Sequence, residues 1–246
     1  ALFFDPEQAL LDLIDLSCVD YLIGGEIDFC IGKIANYCFK GEGKPEEINN
    51  ILYKDENGKM VKTRFHVWDD DLDSQPFPAR HLMRNELYIH PGTKEPMATI
   101  QTARGCPSQC VFCLTPEISG KRVRFRSPQN VLDEMIDCYD NHHISCFFFK
   151  ADTFTINPDW VKEMCELIIN SKLCGKIKFT ANSRVRPLKK ETLELMKKAG
   201  CFLVAFGFES GSDEMLKTMR KGTTVAENRQ AAKWCKEIGL PFWGYF

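Results

Sequence analysis

Three cysteines fall close together in the run Gly105-Cys106-Pro107-Ser108-Gln109-Cys110-Val111-Phe112-Cys113. The spacing, C-x3-C-x2-C, puts three soft sulfur donors on one short loop. Cysteine thiolates are the protein ligands of iron–sulfur clusters, and three of them would fill three corners of a cube. No fourth cysteine follows at short range. One iron would then stay open to another ligand, which is what chemistry at a metal needs. Gly105 and Pro107 keep the loop tight, and Phe112 sets an apolar face beside the third thiolate. A zinc site and free thiols of a reduced protein are the competing readings. The run lacks the paired two-cysteine knuckles or Cys/His pairs of zinc modules.

Such a loop needs a scaffold. Residues 98–102 read as a strand that leads into it. Further strands are expected at 144–149, 176–181, 201–208 and 242–246, and helices at 128–139, 158–171, 189–198, 212–219 and 225–238. Ser127 suits a helix cap and Pro128 the first turn, and Asn157 caps the helix that opens at Pro158. Strand–helix alternation with short connections is the pattern of parallel strands joined by right-handed crossovers. In a βα barrel, chemistry collects at the C-terminal ends of the strands. Those ends offer Asp152 and Thr153, then Asn182, Ser183 and Arg184, then Glu209 and Ser210. Glu209 closes an apolar strand, where a charge is costly without a polar partner. A ligand or a nearby Lys or Arg would serve. Arg184 carries a fork that suits a carboxylate, and a surface ion pair is equally open to it. Asp152 and Thr153 fit a ligand contact or a turn. Arg122, Arg124 and Arg126 alternate as along a strand and read as a solvated edge.

Upstream, 6–16 and 26–37 show the apolar spacing of helices, and 20–23 is a short strand ended by Gly24-Gly25. Asn57-Gly58, between Ile51-Leu52-Tyr53 and Met60-Val61, is a hairpin signal. Residues 63–96 are irregular, rich in Pro, Asp and aromatics, and read as a linker.

The 246 residues, 44% of them hydrophobic, suffice for one large α/β domain or one domain plus part of another. With 32 basic and 34 acidic residues the net charge is −2, which argues against a general nucleic-acid or membrane-surface binder. No apolar stretch reaches membrane-span length and no secretory signal is visible. Twelve cysteines is a high count, yet a disulfide scaffold would be short and loop-rich. Cys18, Cys30, Cys38, Cys138, Cys146, Cys165, Cys174, Cys201 and Cys235 therefore read as buried free thiols in a reducing cytoplasm. The chain opens on Ala1 and closes in the apolar run 240–246, which reads as a strand in progress, so a fragment of a longer protein is expected.

The cysteine run resembles the signature of the radical S-adenosylmethionine (SAM) enzymes. Arg104-Gly105-Cys106-Pro107, Arg124-Phe125-Arg126-Ser127-Pro128, Asp152-Thr153-Phe154-Thr155 and Gly207-Phe208-Glu209-Ser210-Gly211-Ser212 are similar to members that carry an N-terminal cobalamin-binding domain. The resemblance covers nearly the whole chain. It implies an α/β fold: a partial (βα)6 barrel of parallel strands, preceded by the end of a Rossmann-like cobalamin-binding domain. Residues 1–40 would be the tail of that domain, with Val19-Asp20-Tyr21-Leu22-Ile23-Gly24-Gly25-Glu26 as its final strand and turn. Residues 41–97 would be a linker with a hairpin, and 98–246 the radical SAM core, truncated in its fifth strand.

The resemblance further implies a [4Fe-4S] cluster on Cys106, Cys110 and Cys113, with SAM on the open iron and Phe112 against its adenine. Asp152, Thr153, Arg184, Glu209 and Ser210 are the other implied cofactor contacts. Reductive cleavage of SAM would start radical chemistry on a small organic substrate, with electrons from a reductant such as flavodoxin or ferredoxin. Methyl transfer with cobalamin, or ring formation, are the implied outcomes. Two departures stand out. The position where the family usually has two acidic residues reads Ala151-Asp152, so one carboxylate is missing. None of His66, His81, His90, His142 and His143 sits in a cobalt-ligating loop, so cobalamin is expected only in a longer protein. Two other readings remain: a radical SAM enzyme without cobalamin that modifies RNA or protein, and a non-catalytic iron–sulfur electron-transfer module.

Overall fold

The computed structural model describes residues 19–246. The helix expected at 6–16 and Cys18 lie outside them. Two compact units form. One takes the residues up to Asp71 together with Gly105–Pro107 and Cys113–Arg122; the other takes Leu72–Arg104, Ser108–Phe112 and Val123–Phe246.

In the first unit, β1 (Tyr21–Ile23), β2 (Ile51–Lys54) and β3 (Met60–Lys62) make an antiparallel sheet in that order. The expected hairpin joins β2 to β3. Its Gly58 has φ 75°, a conformation that glycine adopts without strain, and Asp55 Oδ1 accepts from the N–H groups of Asn57 and Lys59. The helix α1 (Ile31–Lys40) starts later than the apolar spacing suggests. The Ile27 carbonyl accepts from both Cys30 and Ile31, so a tight turn occupies the first expected helical residues. Gly41, left-handed, closes the helix. Cys30, Ile34, Ile48, Ile51 and Tyr53 form this unit's core. Trp68 Nε1 donates to the Ile118 carbonyl at 2.9 Å and ties the 113–122 segment to it.

The second unit is built on a parallel five-stranded sheet. Its strands are β4 (Met97–Gln101), β7 (Cys146–Lys150), β8 (Lys178–Ser183), β9 (Cys201–Gly207) and β10 (Phe242–Tyr245), and they pair in that order. A two-stranded ribbon of β5 (Ala103–Arg104) and β6 (Arg124–Phe125) lies in the chain between β4 and β7. Between the later strands run α2 (Pro128–His142), α3 (Pro158–Asn170), α4 (Lys190–Lys198), α5 (Asp213–Thr218) and α6 (Val225–Ile238). The caps follow the sequence: Ser127 Oγ accepts from Asn130 N–H, and Asn157 Oδ1 from Asp159 and Trp160. Phe147, Phe149 and Phe179 are fully buried on one face of the sheet, whereas Thr99 and Phe148 on the other face are exposed and half-buried. Each of the three fully buried side chains contributes roughly 1.5–3 kcal/mol by leaving water. The strand expected at 144–149 begins at Cys146 instead, because Ile144 N–H bonds the Cys138 carbonyl and prolongs the end of α2.

Two expectations need correction. Arg124 and Arg126 are buried rather than on a solvated edge. Arg126 pairs with Glu134 of α2 and donates to Asn130 Oδ1 at 2.7 Å and to the Gln101 carbonyl at 2.9 Å. Glu134, itself 1% exposed, also holds Arg80 at 2.6 Å. One carboxylate thus draws both guanidinium groups inward. Arg122 is exposed and pairs with Asp70. Among the scattered cysteines, Cys30, Cys138, Cys146, Cys165, Cys201 and Cys235 are buried free thiols, but Cys38 and Cys174 are exposed. Cys38 lies in the last turns of α1 and Cys174 in the turns after α3, both at the surface of the described residues. No helix among the described residues is long and apolar enough to cross a membrane.

Candidate functional site

The loop after β5 is tight from its first residue. Gly105 has φ 90°, and a Cβ there would stand 2.2 Å from the Arg122 carbonyl oxygen. Only glycine fits such a position. Cys106 is buried and its N–H donates to the Gly120 carbonyl at 3.1 Å. Cys113 is exposed. Cys110 belongs to the parallel-sheet unit, where it is buried and its Sγ accepts from Arg184 Nη1 at 3.4 Å. The next residue, Val111, donates its N–H to the Met219 carbonyl at 3.1 Å, just past α5. Phe112 is half-exposed, and Lys221 Nζ stands 5.9 Å from its ring centroid.

Glu209 follows β9 in a left-handed conformation, φ 63°. That is uncommon away from glycine and is held only by its surroundings. Its N–H donates to the Tyr245 carbonyl at 2.8 Å, and Asn228 Nδ2 donates to the flanking carbonyls of Phe208 and Ser210. Glu209 Oε1 accepts from Lys221 Nζ at 2.7 Å; the two side chains are 22% and 6% exposed. The strand-end carboxylate therefore has a lysine partner. Arg184 Nη2 donates to the carbonyl of the same Lys221. Cys110, Phe112, Arg184 and Glu209 are thus brought together through Lys221, which the sequence reading did not single out.

The other expected residues serve the local chain. Thr153 is buried and donates its hydroxyl to the Asp152 carbonyl at 2.7 Å. Thr155 Oγ1 and Ser183 Oγ share a hydrogen bond that links the turn at Phe154–Ile156, after β7, to the end of β8. Ser210 Oγ accepts from Ser212 N–H at 3.1 Å. Thr223 Oγ1 and Asn228 Oδ1 are buried without a hydrogen-bond partner, an arrangement that costs about 1–3 kcal/mol per group unless a ligand or water supplies one. Among the described residues, no group of three or more His, Cys, Asp or Glu side chains stands close enough together to hold a metal ion. The donor set of the loop is three free thiols, which suits iron–sulfur ligation.

Residues 100–245 match the radical SAM superfamily. An uncharacterized methyltransferase of Pyrococcus horikoshii is 32% identical over 99% of this chain and 51% of its own length. An anaerobic magnesium-protoporphyrin IX monomethyl ester cyclase of Cereibacter sphaeroides is 34% identical over 79% of this chain and 32% of its own. Among solved structures, the cobalamin-dependent SAM radical enzyme OxsB, with aqua-cobalamin and SAM bound, superposes with a TM-score of 0.76. It is 22% identical, over 99% of this chain and 35% of that one. The chain spans about half or less of the length of the curated relatives it matches.

Proposed function

The chain belongs to the radical SAM superfamily, and from that premise we propose that Cys106, Cys110 and Cys113 hold a [4Fe-4S] cluster, that SAM binds beside Phe112, and that the chain serves as the core of a longer enzyme acting on a small organic substrate. The observation that carries this reading is the loop: three free thiols at C-x3-C-x2-C spacing, with a guanidinium donating to one of their sulfurs. Methyl transfer or ring formation is the outcome we favour, because the relatives are named methyltransferases and a cyclase. When bound, the cluster and SAM would supply one-electron cleavage of a carbon–sulfur bond and so a radical able to activate an inert carbon.

The protein's part is to bind, orient and exclude water. Phe112 offers a half-exposed aromatic face to a planar base. Glu209 and Arg184 bring a carboxylate and a guanidinium to neighbouring strand ends, groups suited to hydroxyls or an amine and to a carboxylate respectively. Arg184 also donates to the Cys110 sulfur, and hydrogen bonds to ligating sulfurs help to set a cluster's potential. No described residue is assigned to cobalamin. That part of the proposal is supported by the OxsB likeness and belongs to the full-length protein.

Anaerobic reconstitution should load about four irons per chain, and changing Cys106, Cys110 and Cys113 together to Ala should abolish this. SAM should perturb the spectrum of the reduced cluster, and with a strong reductant the full-length protein should cleave SAM. Full iron content in the triple variant would overturn the cluster. An intact cluster that never responds to SAM would leave an electron-transfer module instead.

A further inference from the structure

Lys221 is an unusual lysine. It sits in a short connection, between α5 and α6, where a side chain of four methylenes could reach water easily. Instead it turns inward and is 6% exposed. A buried ammonium is costly unless it is paired and hydrogen-bonded, so its partners define what it is there for. Its Nζ lies 2.7 Å from Glu209 Oε1 and 5.9 Å from the centre of the Phe112 ring, within the range of a cation–π contact. Its carbonyl accepts from Arg184 Nη2. Its own N–H is anchored on the Leu216 carbonyl at 2.9 Å, and two residues earlier the Met219 carbonyl holds the cysteine loop at Val111.

Gly207 shows how the pair is accommodated. A Cβ on Gly207 would lie 2.5 Å from Glu209 Oε1 and 2.8 Å from Lys221 Nζ. The carboxylate and ammonium therefore fold back over the last residue of β9, into space that any other side chain would fill. The left-handed backbone at Glu209 turns the carboxylate that way. A missing side chain, a strained residue and a buried cation converge on one contact.

We propose that Lys221 is the positioning residue of the SAM site: it holds the Glu209 carboxylate, the Phe112 ring and, through its carbonyl, the Arg184 guanidinium in place before the ligand arrives. The inference rests on the SAM-binding reading above. It predicts that affinity for SAM depends on a residue that is not itself a cluster ligand.

The test uses the full-length, cluster-loaded protein and reads the SAM-induced change in the electron paramagnetic resonance spectrum of the reduced cluster, titrated to a dissociation constant. Lys221→Met removes the charge and keeps the length. Gly207→Ala leaves both charges in the chain but pushes the pair off its seat; the clashing atoms are ends of flexible side chains, so the backbone tolerates the change. Both should weaken SAM about ten- to 100-fold while iron content holds. Lys221→Arg should recover part of the loss. Glu209→Gln should cost little more in the Lys221→Met background than in that background alone, because coupled groups are not additive. SAM affinities of both variants within about twofold of the parent would overturn the role of Lys221. A parent protein without any SAM-dependent spectrum would overturn the SAM reading itself, and the proposal with it. If Lys221→Met does not fold, Gly207→Ala decides alone.

Discussion

Burial pushes the thiols of Cys138 and Cys165 up to about 12. Desolvation is the leading cause in both, since a thiolate in an apolar core has lost its water. A folded pKa above the unfolded value means that the native state holds the proton more tightly. The stability these thiols contribute is whole below the ordinary thiol value of 9.0 and drains away as pH rises from there towards 12. We expect the unfolding free energy from urea titration to fall above that value, by at most roughly 1.4 kcal/mol per pH unit for each such thiol. Cys165→Ala should start lower, for loss of packing, but decline less steeply. Equal slopes in parent and variant would contradict the burial argument. At this scale the sequence marked Cys110, Phe112, Arg184 and Glu209 by type and position, and the structure brings these four together around Lys221. Lys221 was not legible. Its neighbours Arg220 and Gly222 make it look like a surface turn, and its meeting with Glu209 arises only when α5 folds the chain back. The exposed Cys38 and Cys174 were missed because a cysteine is apolar enough to pass for core in any helical pattern.

Strands of the parallel sheet could be read from their apolar runs, and helices from caps that the structure repeats at Ser127 and Asn157. Their ends were less legible, because backbone groups such as Ile144 N–H find partners that no local pattern announces. Arginines in period two mislead for a similar reason. The pattern reports a strand, but only the docking of α2 decides whether its charges meet water or Glu134. That docking can be tested. Glu134 is the shared counter-charge of Arg80 and Arg126, and Arg80 Nη1 is already a buried donor without a partner. Glu134→Gln should strand two guanidinium groups and destabilise the chain by about 3–5 kcal/mol, read as a lower urea midpoint. A loss below about 1 kcal/mol, the range of exposed pairs, would mean that water reaches the site.

On the scale of the molecule, the resemblance foretold a βα barrel core, and the five parallel strands in chain order agree with it. Among the described residues β10 pairs only with β9, and Trp243, Tyr245 and Phe246 are exposed there. An open edge carrying large apolar side chains invites pairing with another chain. The 246-residue chain expressed by itself should therefore self-associate with rising concentration, and Trp243→Lys should reduce this, as followed by analytical ultracentrifugation. Equal association in both would place the sticky surface elsewhere.

The pairing order has a consequence for biogenesis. Each strand of the sheet pairs with the one synthesised before it, so loop closures are short and the sheet can assemble as the chain leaves the ribosome. The thiol loop emerges early, after β4, whereas Arg184, Glu209 and Lys221 emerge much later. A nascent chain thus presents its cysteines open to an iron donor or an oxidant, and Cys110 is sheltered only when the last strands are made. Cluster delivery during synthesis meets Cys110 open; delivery afterwards finds Cys113 exposed but must reach Cys110 behind Arg184.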